Sequence, residues 1–352
     1  MPPVTPRRLA PTSDGWKFSG LDPVRGMTIG PIESELQPGR GYGSEPFLAT
    51  LGEVESLGAN WISLTVFGRV WDLKSAGVDL SFEQPSDVTR AAMIRSVKMA
   101  HERGLRVLLV PHLWVESGEW RAEMKADSDE RFEKWVASYT RFALFWAKAA
   151  EEAGVDMFAA GVELRSWVTT ARAPSFVDLI SEIRGEYGGL LTYAANWDDV
   201  DDTVVWGHLD LIGVNAFYQL HWEDDATWKQ IEAGGDRVAQ SVQQLSERYE
   251  LPVVFTEFGY TTRKNTAIKP WLWPEQLGRV EVDQKAQARA YAGLLGAMRR
   301  VPGFVGAFVW RMYADVSDMS QEAEWGFSPW GKQSQQVLKD AFAHPNFGDP
   351  AY

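Results

Sequence analysis

Two glutamates stand where a folded chain rarely leaves a charge. The segment 156–167 reads DMFAAGVELRSW, and its run of apolar and small residues ends on Glu163. The segment 251–260, LPVVFTEFGY, repeats the arrangement and delivers Glu257. An unpaired buried carboxylate is costly, so each needs a chemical or a structural reason to be there. If the two face each other across a cleft, one can protonate a leaving oxygen while the other attacks carbon or activates water. That is the two-carboxylate chemistry of glycosidic bond hydrolysis. The structural alternative pairs each glutamate with an arginine, for which Arg69, Arg165 and Arg311 are candidates.

Other chemistries find less support. The chain has no cysteine, which excludes disulfides, thiolate catalysis and Cys-ligated zinc. The five histidines, His101, His112, His208, His221 and His344, are scattered and form no H-E-x-x-H. The acidic cluster NWDDVDD (196–202) lacks the glycine of a calcium loop and reads as capping or solvated surface. No G-x-S-x-G occurs, which disfavours an α/β-hydrolase. No metal and no cofactor is expected.

The elements that must position the glutamates can be read from the alternation of patterns. Eight short apolar runs, at 24–30, 60–68, 105–114, 156–164, 190–197, 209–218, 251–260 and 303–313, have the character of parallel strands buried on both faces. Amphipathic segments lie between and after them, at 45–58, 85–104, 129–154, 174–187, 236–250, 283–300 and 331–344. Only the fifth crossover, DDVDDTVVWGH (198–208), is short. Eight strand–helix units predict an α/β fold of the (β/α)8 TIM-barrel type in a single domain. A doubly wound sheet is the runner-up, but PGRGYGSEP (38–46) misses the G-x-G-x-x-G spacing and starts well after the first strand. The expected organisation is an extended arm over 1–20, the barrel over 21–345 and a tail over 346–352.

Barrel chemistry sits at the C-terminal ends of the strands. There the sequence places Arg69 and Trp71, His112 and Trp114, Glu163, Asn196 and Trp197, Asn215 and Tyr218, Glu257 and Tyr260, and Trp310 and Arg311. Glu163 and Glu257 are the acidic members, on the fourth and seventh strands. Tyr218, just past the sixth strand, is expected to donate a hydrogen bond to Glu257. The connection 261–282 is long for a βα loop and holds Trp271 and Trp273. An indole can meet the C–H face of a pyranose. Trp310 is therefore expected to floor the subsite where the bond breaks, with Trp271 or Trp273 further out. The competing reading packs the loop tryptophans against another chain or the helix ring.

The stretches GANWISLTVFGRVW, VPHLW, FAAGVEL, LTYAANWDD, VNAFY and VVFTEFGY resemble glycoside hydrolase family 113, over about residues 24–343. The resemblance implies a clan A barrel with endo-β-1,4-mannanase-like activity. It also implies a retaining mechanism, with Glu163 as acid/base and Glu257 as nucleophile. The acid/base carboxyl is expected to have its pKa raised by burial and by its partner. Many clan members carry asparagine before the acid/base, to hold the sugar 2-hydroxyl; here the residue is Val162, a departure family 113 tends to share. Asn196 is the candidate replacement, and His112, Trp114, Arg69 and Trp197 complete the expected substrate-binding set. Two other readings remain: a non-catalytic carbohydrate-binding barrel, or a clan A β-glycosidase acting on another β-glucan or oligosaccharide.

Bulk properties fit a carbohydrate partner. A net charge of −13 disfavours a sequence-independent nucleic-acid binder. No apolar run approaches the roughly 18 residues of a membrane span, and a monomer is expected. MPPVTPRRLAPTSDGWKF at the N-terminus has no apolar core, so no signal peptide is visible. The expectation is a cytoplasmic protein, or an exported one whose signal lies outside this numbering. Seventeen tryptophans among 352 residues suit sugar stacking or simply a Trp-rich core.

Overall fold

The computed structural model describes Trp16 and residues 19–31, 38–272, 276–318, 320 and 322–348. Most of the expected arm and the end of the expected tail fall outside these residues. Eight parallel strands close into a barrel in sequence order. They are β1 (Val24–Gly30), β2 (Trp61–Val70), β3 (Arg106–Val115), β4 (Met157–Val162), β5 (Leu190–Asn196), β6 (Ile212–Asn215), β7 (Val253–Phe258) and β8 (Phe304–Tyr313). The outer ring holds α1 (Glu45–Ser56), α2 (Ser86–Glu102), α3 (Asp129–Ala153), α4 (Arg165–Val168), α5 (Ala173–Glu186), α6 (Trp228–Tyr249), α7 (Gln284–Met298) and α8 (Gln333–Phe342). The predicted (β/α)8 fold is the observed one.

The strands are mostly apolar because both faces are covered. On β3, Leu108 and Val110 join an inner cluster with Trp61, Val254 and Phe308, while Val107 and Leu109 join the layer beneath the helices. Trp16 belongs to the inner cluster and is only 4% exposed, so the end of the arm packs with the barrel. Helix α3 shows how the sequence sets its own limits. The Ser128 side chain accepts from the Arg131 N–H at the start, and Gly154 ends the helix at φ 72°.

One helix starts away from its expected position. Helix α6 begins at Trp228, well before the expected 236, because Thr227 and Gln230 form a capping box. Gly234 and Gly235 read as helix breakers but serve close packing: a Cβ at Gly234 would lie 2.1 Å from the Leu220 carbonyl oxygen, and one at Gly235 2.4 Å from that of Gly293 in α7. The fifth crossover contains only the 3₁₀ turn Trp206–His208, in keeping with its shortness.

The irregularities that matter for chemistry lie on β4, β7 and β8. Ala159 pairs with Thr192 and Val162 with Ala194, so β4 carries one residue more than β5. Val214 pairs with Phe255 and Asn215 with Glu257, giving β7 one extra residue against β6. Met27 pairs with Val309 and Ile29 with Met312, so β8 carries another near Trp310. Each bulge turns the following side chains relative to strict alternation. Two of them sit directly before Glu163 and at Glu257.

Candidate active site

Glu163 and Glu257 both stand at the barrel mouth, and each is 7% exposed. Glu163 follows the β4 bulge with a left-handed backbone, φ 50°, a conformation sparsely populated by residues other than glycine. Its N–H donates to the Ala194 carbonyl at 2.8 Å, and the next N–H, of Leu164, donates to the Tyr193 hydroxyl at 2.6 Å. Strand β5 therefore pins the turn that presents the carboxylate.

Three donors converge on the Glu163 carboxylate. Asn215, fully buried at the end of β6, donates from Nδ2 to Oε1 at 2.9 Å, while its own Oδ1 accepts from the Thr256 hydroxyl at 2.9 Å. The other oxygen, Oε2, accepts from Trp120 Nε1 at 2.8 Å and from Arg121 Nη1 at 3.0 Å. Arg121 also donates from Nη2 to His112 Nε2 at 2.8 Å. That bond makes Nε2 an acceptor and leaves the His112 proton on Nδ1, 3.1 Å from the Leu113 carbonyl. Burial, together with the Arg121 charge, holds His112 well below the usual imidazole range, so it is neutral here.

Glu257 has no hydrogen-bond donor among the described residues. Burial first, and the charge of Glu163 second, push its pKa up to about 8, against the opposing pull of Arg121 and Arg311. Glu257 lacks the donors that gather on its partner, where three converge, one of them a guanidinium.

The arginines divide their work. Arg69 pairs with Glu116 and stands over the Phe82 ring at 5.2 Å. Arg165 is held by Asp198 and Asp199. Arg311 reaches across Gly30, where an added Cβ would lie 3.2 Å from its Cδ, and donates to the Tyr313 hydroxyl at 2.8 Å. None of these three salt-bridges either glutamate; Glu163 does pair with an arginine, Arg121, whereas Glu257 has no ion pair among the described residues.

The family model of glycoside hydrolase family 113 matches residues 40–332, most of the chain. The chain belongs to glycoside hydrolase family 113. Among solved structures, this family 113 chain is similar to a β-mannanase of the family from Alicyclobacillus acidocaldarius, solved in complex with ManMIm. The identity is 25% with a TM-score of 0.79, over 92% of this chain and 97% of that one. A family 113 β-1,4-mannanase is 22% identical at the same TM-score, over 92% of this chain and 99% of that one. A family 5 mannosidase from Rhizomucor miehei, 12% identical with a TM-score of 0.66, shares the fold over 95% of this chain and 96% of that one. None of the curated proteins matches in sequence.

The remaining expected residues of this family 113 barrel take varied places. Trp310 is 8% exposed beside Arg311, whose guanidinium lies 4.9 Å from its ring. Trp114 stands half exposed at the end of β3 against Phe67 and Phe82. Trp197 and Trp271 face each other with centroids 5.2 Å apart and planes tilted by 32°. Asn196 donates to Asp198 at 2.7 Å. Trp273 lies outside the described residues. The bond expected from Tyr218 to Glu257 is not made. The Tyr218 ring packs against Trp197 at 5.7 Å and Phe255 at 6.1 Å. Phe255 lines the layer beneath the helices, so contact with it draws the phenol away from the mouth.

Sequence reasoning missed Trp120 and Arg121. They lie in a βα loop, on and before the 3₁₀ turn Arg121–Glu123, with no strand end to flag them. The one available signal was the adjacency of an aromatic and a cation in a loop after a strand bearing His112. Among the described residues no three metal-ligating side chains gather, and no helix is long and apolar enough to cross a membrane.

Proposed function

We propose that this family 113 protein is a retaining endo-β-1,4-mannanase in which Glu257 is the nucleophile and Glu163 the acid/base. The observation that carries the reading is the pair of buried carboxyls at the ends of β4 and β7, close enough for each to feel the other's charge. The mannan preference rests on family membership and on the likeness to the A. acidocaldarius β-mannanase. In the first step Glu257 attacks the anomeric carbon as a carboxylate while the Glu163 proton passes to the departing oxygen. In the second, Glu163 takes a proton from water, which displaces Glu257 from the sugar. Burial and the charge of Glu163 raise the Glu257 pKa to about 8, and positive charge developing at the anomeric carbon favours the carboxylate form that attack requires.

The flanking groups support a chain-binding cleft. The aromatic shelf of Trp114 with Phe82 and the shelf of Trp197 with Trp271 offer stacking faces away from the carboxylates. Trp310 serves as the floor of the central subsite. Asn196 takes the 2-hydroxyl, and His112 and Arg69 complete the polar lining. The test is product analysis on mannan, glucan and xylan oligosaccharides, with the anomer followed by proton NMR. Internal cleavage of mannan with the β-anomer appearing first is expected. An α-anomer as first product would overturn retention, and a preference for glucan or xylan would overturn the mannanase assignment. A substrate-bound crystal structure should place the two carboxyls about 5–5.5 Å apart, as retention requires.

A further inference from the structure

Arg165 lies two residues beyond Glu163, at the start of α4, and its side chain has three acidic partners, of which Glu123 on the 3₁₀ turn is the most distant at 3.6 Å. Nε donates to Asp199 Oδ2 at 3.0 Å and Nη2 to Asp198 Oδ1 at 2.5 Å. The Asp199 side chain is only 3% exposed, so one anchor is buried. From this mooring the guanidinium carbon sits 4.7 Å from the centroid of the Trp120 ring. Trp120 in turn donates its indole N–H to Glu163 Oε2. Trp120 is 36% exposed and sits in a loop, directly before the 3₁₀ turn Arg121–Glu123. A cation over an indole face is attractive and constrains where the ring edge points. The opposite oxygen of Glu163 is fixed by Asn215. Together with Arg121, which also donates to Oε2, these donors set the plane of the carboxyl.

We propose that Arg165 is a positioning residue for the acid half of the reaction: moored on Asp198 and Asp199, it holds the Trp120 indole so that its N–H orients Glu163 toward the glycosidic oxygen. The inference rests on the reading of Glu163 as acid/base. As the bond between the anomeric carbon and oxygen breaks, its electron pair leaves with the aglycone oxygen, which takes the Glu163 proton. A sugar leaving group needs that proton. A dinitrophenolate stabilises the negative charge itself and needs none. Misorientation of Glu163 therefore slows the first substrate and spares the second, whereas general damage to the barrel slows both.

The experiment compares kcat/KM on mannopentaose and on dinitrophenyl β-mannobioside for wild type, Arg165→Met, Arg165→Lys and Glu163→Ala. Arg165→Met is expected to lose about tenfold or more on the pentaose, part of the hundredfold or greater contribution usual for a placed general acid. On the aryl glycoside it should lose less than about threefold. Arg165→Lys should fall between, since it keeps the charge without the planar fork. If Arg165→Met does not fold, Trp120→Phe removes the N–H, keeps a ring, and should give the same split. Equal losses on both substrates, or no loss on either, would overturn the role of Arg165. If Glu163→Ala itself shows no such split, the acid/base assignment falls and this inference falls with it. A split for Glu163→Ala without one for Arg165→Met sinks this inference alone.

Discussion

Replacing Glu257 by glutamine should abolish turnover and, at alkaline pH, stabilise the fold. Glu257 is buried without a donor, and its pKa rises from 4.5 to about 8. Below about pH 4.5 the group is protonated in both folded and unfolded chains, and its burial carries no charge penalty. Between that pH and about 8 the unfolded chain ionises it while the folded protein keeps the proton. Stability then falls by up to about 1.36 kcal/mol per pH unit. Above pH 8 the folded protein ionises too, and the loss levels off at an upper bound of about 5 kcal/mol. A glutamine side chain in its place would stay neutral throughout and could donate its amide N–H toward Glu163. Asp199, which burial pushes up to about 6, and neutral His112 are present in both proteins and largely cancel in the difference. Unfolding entropy for a chain of 352 residues is about 0.7 kcal/mol/K, so the gain reaches up to about 7 °C in midpoint at pH 9 and vanishes near pH 4.5. Thermal melts of both proteins at half-unit steps from pH 4.5 to 9, with activity at each pH, measure it. A carboxylate kept for structure behaves in the opposite way, and its loss destabilises. A difference that is flat with pH, or that favours wild type at pH 9, would refute the electrostatic reasoning; near-normal turnover in the glutamine variant would remove Glu257 from the mechanism.

Asn215→Ala should remove the Oε1 donor from Glu163 and orphan the Thr256 hydroxyl, both in a fully buried place. Urea melts should register a loss of about 1–3 kcal/mol, and kcat should fall with it; unchanged kcat would mean that Asn215 does not orient the carboxyl. Trp271→Ala, which strips the outer half of the Trp197–Trp271 pair, should weaken a hexasaccharide far more than a disaccharide, because remote binding energy is available only to long chains. Equal losses on the two lengths would move Trp271 out of the cleft.

The sequence and the structure part company where backbone register and loop geometry take over from composition. Eight apolar runs were legible because a strand buried on both faces has few polar positions to disguise it. Glu163 and Glu257 were legible for the same reason, as charges closing runs that otherwise carry none. What aims them was not. In strict alternation Glu257 would share the face of Val253 and Phe255, which pack beneath the helices. The extra residue on β7 turns it to the mouth, and nothing in VVFTEFGY marks where that residue is absorbed. The same uncertainty defeated Tyr218: three residues past the end of β6, its direction depends on the chain path after Asn215, and the path takes it to Trp197. Trp120 and Arg121 belong to a loop whose fold is decided by contacts from elsewhere, namely His112 on β3 and Arg165 on α4. Helix α6 shows the converse, where packing overrides a local propensity. Its paired glycines are poor helix formers, but Leu220 and Gly293 approach too closely for any Cβ, and tertiary packing overrides the propensity. A residue whose chemistry is announced by its own neighbours in sequence can thus be found by reading. A residue that acts through neighbours in space, as Arg121 and Arg165 do, has to wait for the fold.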